Sequence, residues 1–118
     1  MYNNESYREY CLSKKAVTES FPFNESTLVF KVAGKMFALL SLDAPNLRVN
    51  LKCDPEWALE LREQHTGIIP GFHMNKKHWN SVIMDSSLNH TLLKELTNHS
   101  YDLVVNSLTK KVKLEMGF

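Results

Sequence analysis

Residues 27–52 read TLVFKVAGKMFALLSLDAPNLRVNLK, and this stretch decides the fold. It opens with strand-like alternation, in which the side chains predicted to face the core are those of Leu28, Phe30 and Val32. Gly34 then lies between two strand-like runs, as is typical of a tight hairpin turn. The second run, Met36–Leu42, is almost continuously apolar, which indicates a central strand.

A third strand follows the turn-forming residues Asp43–Asn46. It alternates cleanly, and its inward residues are Leu47, Val49 and Leu51. Its outward residues are Arg48, Asn50 and Lys52. Three consecutive strands joined by short turns predict an antiparallel meander, which commonly packs one face under helices and exposes the other to water.

One helix is predicted before this meander in the chain and another after it. Residues 5–16 show helical spacing without Gly or Pro. Asp54 is a good N-cap and Pro55 suits the first helical position, so a second helix should run to about Gln64. Gly67 is a plausible stop for that helix. The residues expected on its buried face are Ala58 and Leu61.

The C-terminal half adds two short strands and a helical tail. The strands are predicted at 68–74 and 81–85, with Asn75 capping a single turn between them. Leucines and valines at helical spacing predict a helix from about Leu92 to Leu108, with a bend or split at 98–100, followed by a basic tail at 110–113. The predicted order is α-β-β-β-α-β-β-α, an α+β fold with an antiparallel sheet and helices packed on one face.

Length and composition indicate one globular domain spanning 1–118. The chain has 118 residues, of which 43% are hydrophobic and 23% charged. No apolar run approaches the roughly 20 residues of a membrane span, and the N-terminus lacks a signal-peptide pattern. Cys11 and Cys53 lie far apart, which favours reduced thiols in a cytoplasmic protein. We expect a monomer with no membrane partner.

The charge distribution is uneven although the net charge is only +1. Residues 26–53 hold four basic side chains against the single acid Asp43, and residues 64–84 hold two lysines and no acid. These six cations are Lys31, Lys35, Arg48, Lys52, Lys76 and Lys77. Because both segments coincide with predicted strands and strand loops, we expect a positive sheet side and a negative helix side.

Catalytic and metal-binding signatures are weak in this sequence. His73 and His78, with His65 as a further candidate, suggest a metal site, but the pair His73 and His78 has no cysteine or carboxylate partner nearby in the sequence, as structural zinc requires. The four glycines form no phosphate-binding loop, and nothing places a cysteine beside a histidine as a nucleophile pair. We therefore predict a protein that is not an enzyme and takes no cofactor.

The most unusual segment is Gly71–Trp79, which mixes cations, an amide, aromatics and histidines without an acid. Lysines and Asn75 in such a segment can hold phosphates, while Trp79, His73 or His78 can stack on a base or add hydrogen bonds. The alternative is that Phe72 and Trp79 belong to the core, Asn75 is a cap, and the lysines are solvated.

Several of these segments resemble the YjbR/MmcQ-like family across nearly the whole chain. The matching stretches are Phe30–Ala38, Asn50–Glu56, Leu61-Arg62, Pro70–Trp79 and His99–Val104. The resemblance implies a CyaY-like fold and a DNA-binding role, and it carries over no catalytic residue. Ser86 stands where the family pattern leads us to expect a glycine. A frataxin-like acidic ridge is absent from the first helix, where Glu5 and Glu9 stand beside Arg8, so iron binding is not expected.

The favoured function is therefore a module that binds DNA or RNA through a basic surface of the sheet and its loops. Its contacts would be the six cations together with Asn75, His73, His78 and Trp79. The alternatives are a protein-interaction or chaperone-like module and, less favoured, a small-ligand protein or enzyme.

Overall fold

The computed structural model describes residues 3–71 and 74–118. Its helices are α1 (Asn4–Leu12), α2 (Pro55–Gln64), α3 (His90–Ser107) and α4 (Lys110–Glu115). Its strands are β1 (Val17–Ser20), β2 (Thr27–Val32), β3 (Lys35–Ser41), β4 (Arg48–Lys52), β5 (Ile68–Pro70) and β6 (Trp79–Ile83). Within those ranges, no helix combines the length and the apolar character needed to cross a membrane.

The strands form one sheet in the order β1-β2-β3-β4-β6-β5, and each neighbouring pair is antiparallel. The predicted meander of β2, β3 and β4 is confirmed. Its first turn has φ of 51° at Ala33 and 78° at Gly34. Positive φ at both central residues is what a two-residue hairpin turn needs to match the twist of its strands.

A bulge in β3 brings a second aromatic ring into the core. Phe30 pairs with Ala38, but the next residue, Lys31, pairs with Met36, so Phe37 is the extra residue. Phe37 is fully buried, and its ring meets that of Tyr101 edge-on with centroids 5.3 Å apart. The bulge thus joins the centre of the sheet to α3.

The helices cover one face of the sheet and are held there by caps and buried hydrogen bonds. Asp54 accepts the backbone N–H of Trp57 at 3.2 Å, so the predicted start of α2 is confirmed. On α3, the hydroxyl of Ser100 donates to the carbonyl of Phe37 at 2.5 Å and accepts the N–H of Lys52 at 2.9 Å. Ser100 thereby satisfies two sheet backbone groups that lie beneath the helix.

Two elements on the N-terminal side differ from the predictions. The helix predicted over 5–16 ends at Leu12, because the chain turns through Ala16, whose φ is 62°. The residues that follow form β1, an edge strand that the sequence did not reveal. The predicted end of α2 at Gln64 is confirmed, but its C-cap is His65 rather than Gly67. Instead, a Cβ on Gly67 would lie 2.3 Å from the carbonyl oxygen of Ile83, so the close pairing of the two chain segments requires glycine.

The C-terminal half also departs from the predictions. The strand predicted over 68–74 is regular only to Pro70, and residues 72 and 73 lie outside the described residues. The strand predicted over 81–85 begins two residues earlier, at Trp79. The helical tail is continuous through 98–100, and it breaks instead at Leu108, after which Thr109 caps α4 by accepting the N–H of Val112 at 3.2 Å.

Candidate functional site

The strand register sorts the side chains onto a helix-covered face and an open face. On the covered face, pairs such as Leu40 with Val49 belong to the main core. On the open face, Lys31 pairs with Met36 and Lys52 pairs with Trp79. Paired residues share a face, so the open face carries Val29, Lys31, Met36, Leu39, Ser41, Arg48, Asn50, Lys52, Trp79 and Ser81.

Five of the six predicted cations meet at one end of the sheet. This is where β2 and β4 end and where β3 and β6 begin. The cations at this end, which we call the basic end, are Lys31, Lys35, Lys52, Lys76 and Lys77. Lys31 and Lys52 point to the open face, two strands apart, which is about 10 Å. Lys35 pairs with Val32, a core residue of the covered face, so it is exposed at the same end of the sheet but does not belong to the open face.

The two remaining lysines of the basic end are presented by a short turn. Lys76 and Lys77 are exposed. The side-chain oxygen of Asn75 accepts the N–H of Lys77 at 3.0 Å, as the cap prediction requires. The carbonyl of His78, whose side chain is half-buried, accepts the N–H of Cys53 at 2.8 Å, which fastens the turn to the end of β4. The turn therefore holds its lysines beside Lys52.

Arg62 fixes the same turn from the helix side. Its Nε donates to Oδ1 of Asn80 at 2.7 Å, and its Nη2 donates to the carbonyl of Lys76. Asn80 is buried, and among the described residues its Nδ2 has no hydrogen-bond partner. The family-like residue Arg62 is thus a structural anchor for the turn, which sequence reasoning had not assigned.

Trp79 does not present a ring for stacking. Its side chain is 9% exposed and packs with Val29 and Leu39, against which Met36 and Met74 also lie. This small apolar cluster occupies the middle of the open face, where a fully wet surface is expected from the sequence. Trp79 is thus a core residue, which agrees with the alternative interpretation of the Gly71–Trp79 segment. His73 lies outside the described residues.

Arg48 lies away from the basic end, in a groove at the opposite end of the open face. The groove has a volume of about 580 Å³ and is lined by the β1–β2 loop, the β3–β4 loop and the open-face side chains between them. Those side chains include Leu39, Arg48 and Asn50, and Met74 also lines it. The hydroxyl of Ser81 donates to the side-chain oxygen of Asn50, which orients that amide.

Phe23 is the groove residue that sequence reasoning missed. It lines the groove and is 62% exposed, although large apolar side chains are normally buried. Its loop is shaped by Asn24, whose side-chain oxygen accepts the N–H of Ser26 at 3.0 Å and of Thr27 at 2.8 Å. The only signal in the sequence was an aromatic pair around Pro22 outside any periodic pattern.

Acidic residues are arranged differently. At the open-face positions of the six strands there is no aspartate or glutamate. Glu19 of β1 points to the other side, where Arg8 of α1 donates to it at 2.6 Å through Nε. The helices α1–α3 hold seven acids and three bases, whereas α4 is itself basic. The predicted separation of charge therefore holds for the sheet and for three of the four helices. Asp43, on the β3–β4 loop, lines the groove.

The cysteines are built for packing rather than reaction. Both are free and buried. Burial raises the pKa of the Cys11 thiol to about 12 and that of Cys53 to about 11, because a thiolate is poorly solvated there. Among the residues 3–71 and 74–118, no group of three or more His, Cys, Asp and Glu side chains is placed to hold a metal.

The His99–Val104 segment also has a structural role. Nε2 of His99 accepts the N–H of Asp54 at 3.1 Å, and the His99 ring meets that of Trp57 edge-on at 4.7 Å. Burial lowers the pKa of His99, which favours the neutral acceptor form that this bond needs. The hydroxyl of Tyr101 donates to the carbonyl of Lys15 at 2.5 Å. These contacts lie on the helix-covered side of the sheet, on the face opposite to the open face.

Together, fold and site define a class: an α+β protein whose antiparallel sheet is covered by helices on one face and carries cations on the other. The chain belongs to the YjbR family, whose sequence model matches residues 12–103. The family predicted from the sequence is thereby confirmed.

Relatives and solved structures agree over most of the chain. The uncharacterized protein YbdF of Escherichia coli O157:H7 is 38% identical over 108 residues, covering 92% of this chain and 88% of that protein. The uncharacterized protein YjbR of Escherichia coli K12 is 33% identical over 103 residues, 87% of each chain.

Two solved structures share the fold. The crystal structure of Deinococcus radiodurans protein DR2400, a DUF419 domain, superposes with a TM-score of 0.93 at 40% identity, covering 100% of this chain and 90% of that one. A crystal structure of a Pseudomonas syringae protein gives a TM-score of 0.73 at 27% identity over 86% of this chain and 98% of that one. The family and the solved structures thus agree on the fold.

Proposed function

We propose that this protein binds nucleic acid, without catalysis, through the basic end and the adjoining open face. Lys31 and Lys52 would contact phosphates directly from the sheet. Lys76 and Lys77 would add contacts from the turn that Asn75 and Arg62 hold in place. Lys35, exposed at the hairpin at the same end of the sheet, would add to the positive potential there.

One observation carries this proposal: five lysines gather at one end of the sheet, and no open-face strand position among the described residues bears an acid. The nearest acid in sequence to Lys52 is Asp54, whose carboxylate caps α2 by accepting the N–H of Trp57. A surface with cations and no interspersed acids attracts polyanions, because the positive potentials add. Ordinary solvated lysines are commonly interspersed with acids, as the exposed Lys94 is next to Glu95 on α3.

Salt dependence is the characteristic signature of such binding. Each phosphate neutralised by a lysine or arginine releases condensed counterions. With four to six contacts, the logarithm of the association constant should fall with the logarithm of the salt concentration with a slope of about −3 to −5. Fluorescence anisotropy of labelled DNA and RNA oligonucleotides at two or more salt concentrations measures this slope.

A pair of charge reversals provides the test with a matched control. We expect Lys31→Glu/Lys52→Glu to abolish binding, since it removes two contacts and places two acids on the open face. Lys110→Glu/Lys111→Glu makes the same change in net charge on α4, where both lysines are exposed on a separate helix. This control variant should lose far less affinity than Lys31→Glu/Lys52→Glu, because its charges lie outside the basic end.

Two results would contradict the proposal. One is an absence of measurable binding by the unchanged protein at low salt and tens of micromolar concentration. The other is an equal loss of affinity in both double variants, which would show that only overall charge matters and that the basic end is not a site.

A further inference from the structure

We infer that the open-face groove holds one unpaired base, so that the ligand is a single-stranded rather than a duplex nucleic acid. This inference rests on the proposed function and identifies the ligand class for the same face. The groove of about 580 Å³ lies within the size range of sites that enclose small molecules.

The groove contains the kinds of side chain that recognise a base. Phe23 is 62% exposed on the β1–β2 loop, and Leu39 and Met74 add apolar surface to the lining. A base has an apolar face and a polar edge, and its stacking on an aromatic side chain is tolerant of sequence. Asn50 supplies an amide of the type that hydrogen-bonds to base edges.

The charges in the groove separate the place of the base from the place of the phosphate. Arg48 and Asp43 both line the groove. Arginine attracts the phosphate that neighbours a bound base. A carboxylate repels phosphates but accepts hydrogen bonds from the exocyclic amino groups of bases. The mixed pair therefore fits a base with one flanking phosphate better than it fits a run of phosphates.

The position of Phe23 explains why a duplex is disfavoured. In a duplex the bases are stacked on each other and offer only their edges in the grooves. A loop phenylalanine can stack on a base only if that base is unpaired or has been turned out of the helix. Since Phe23 is already exposed on its loop, a single strand requires no such step.

The groove and the basic end lie on one line of the sheet. Arg48 in the groove and Lys52 at the basic end are the two ends of β4, and both point to the open face. They are four residue steps apart along the strand, which is about 13 Å. A single strand lying along β4 would thus place a base in the groove and its backbone on the lysines.

The experiment compares Phe23→Ala with Phe21→Ala as a matched control. Phe21 is 50% exposed on the same loop but lines a different depression, beside Arg8 of α1 and Glu19. Fluorescence anisotropy is measured with one 12-nucleotide sequence as single-stranded DNA, as single-stranded RNA and as duplex DNA. A second single strand carries 2-aminopurine, whose fluorescence is quenched when it stacks.

We expect the single strands to bind more tightly than the duplex. Phe23→Ala should weaken single-strand binding by about 5- to 100-fold, abolish the quenching of 2-aminopurine and leave the salt slope unchanged. Phe21→Ala should change none of these values by more than about twofold. The DNA and RNA arms show which single strand is preferred, and a preference for either supports the inference.

Failure of this inference is distinguishable from failure of the proposed function. If Lys31→Glu/Lys52→Glu abolishes binding but Phe23→Ala binds and quenches like the unchanged protein, the groove takes no base and the phosphate-binding face stands. Duplex binding as tight as single-strand binding also overturns the inference. If no nucleic acid binds, both proposals are wrong.

Discussion

At the scale of single residues, the polar residues of the family-like segments have two different roles, one in the fold and one in the candidate site. His99, Ser100 and Tyr101 are consecutive polar residues, yet each is used to hold α3 against other parts of the chain. The lysines of the basic end, by contrast, are exposed or half-buried. The type of a residue in a motif therefore does not reveal whether that residue stabilises the fold or binds a ligand. Its hydrogen-bond partners in the structure reveal this.

His99 makes a prediction about acid stability. Burial lowers its folded pKa below the ordinary value, and this effect exceeds the opposing attraction of Asp54, Asp102 and Glu95. Below about pH 6.5 the unfolded chain takes up a proton that the folded His99 resists, so stability falls as the pH falls through this range. We expect the urea midpoint to drop between pH 7.5 and 5.5.

The matched variant separates His99 from the other histidines. His99→Gln keeps an acceptor for the N–H of Asp54 but does not titrate. It should be less stable than the unchanged protein at pH 7.5 and should show a smaller drop on acidification. An equal drop in both proteins would mean that His99 does not contribute to the acid sensitivity.

At the scale of elements, the predictability of the fold follows the pattern of burial. The strands β2, β3 and β4 were predicted because their residues alternate between core and open face or are buried on both sides. The edge strand β1 was missed because Val17–Ser20 is short and polar, and only its pairing with β2 defines it. The predicted helix over 5–16 is longer than α1, because the spacing of apolar residues does not reveal the turn at Ala16.

The candidate site was predictable in the same uneven way. The cations were found because alternation in β4 and the absence of acids are visible along the chain. The groove is not predictable from the sequence, because it is lined by both the β1–β2 loop and the β3–β4 loop. About 20 residues separate Phe23 of the first loop from Asp43 of the second. Sequence reasoning also assigned Trp79 to the site, whereas tertiary packing places it in an apolar cluster.

Arg62 allows a prediction about how α2 controls the lysine-bearing turn. Replacing it by Lys retains the charge but loses the planar fork that reaches both Asn80 and the carbonyl of Lys76. Asn80 is 2% exposed, so losing its remaining partner should cost about 1–3 kcal/mol of unfolding free energy. Urea denaturation measures this loss.

Hydrogen exchange shows where the loss of Arg62 acts. In Arg62→Lys, the amides of His78 and Trp79, which bond to the carbonyl of Asn75, should exchange faster. The neighbouring Glu63→Gln, an exposed change on the same helix, should affect neither stability nor exchange. If these amides are equally protected from exchange in Arg62→Lys and in the unchanged protein, Arg62 does not stabilise the turn.

At the scale of the whole molecule, the sheet separates two tasks by its two faces. The main core of buried side chains lies between the covered face and the helices. The open face keeps only a small apolar cluster, with the basic end on one side of it and the groove on the other. A ligand that engages both ends must therefore cross the cluster along β4.

This arrangement sets the length of strand that binds best. The roughly 13 Å between Arg48 and Lys52 correspond to about four nucleotides for a strand that keeps the stacked rise of about 3.4 Å per nucleotide, and an extended strand spans this distance with fewer. A dinucleotide therefore reaches either the groove or the basic end, whereas a hexamer reaches both. We expect affinity to rise much more between two and six nucleotides than between six and twelve, as measured by competition against a labelled 12-mer.

In Phe23→Ala, the rise in affinity between two and six nucleotides should shrink while the rise between six and twelve stays the same, because only the groove contact is lost. A steady gain per nucleotide across the whole series, in both proteins, would instead indicate uniform phosphate binding along the lysines, with no link between the two ends of the sheet.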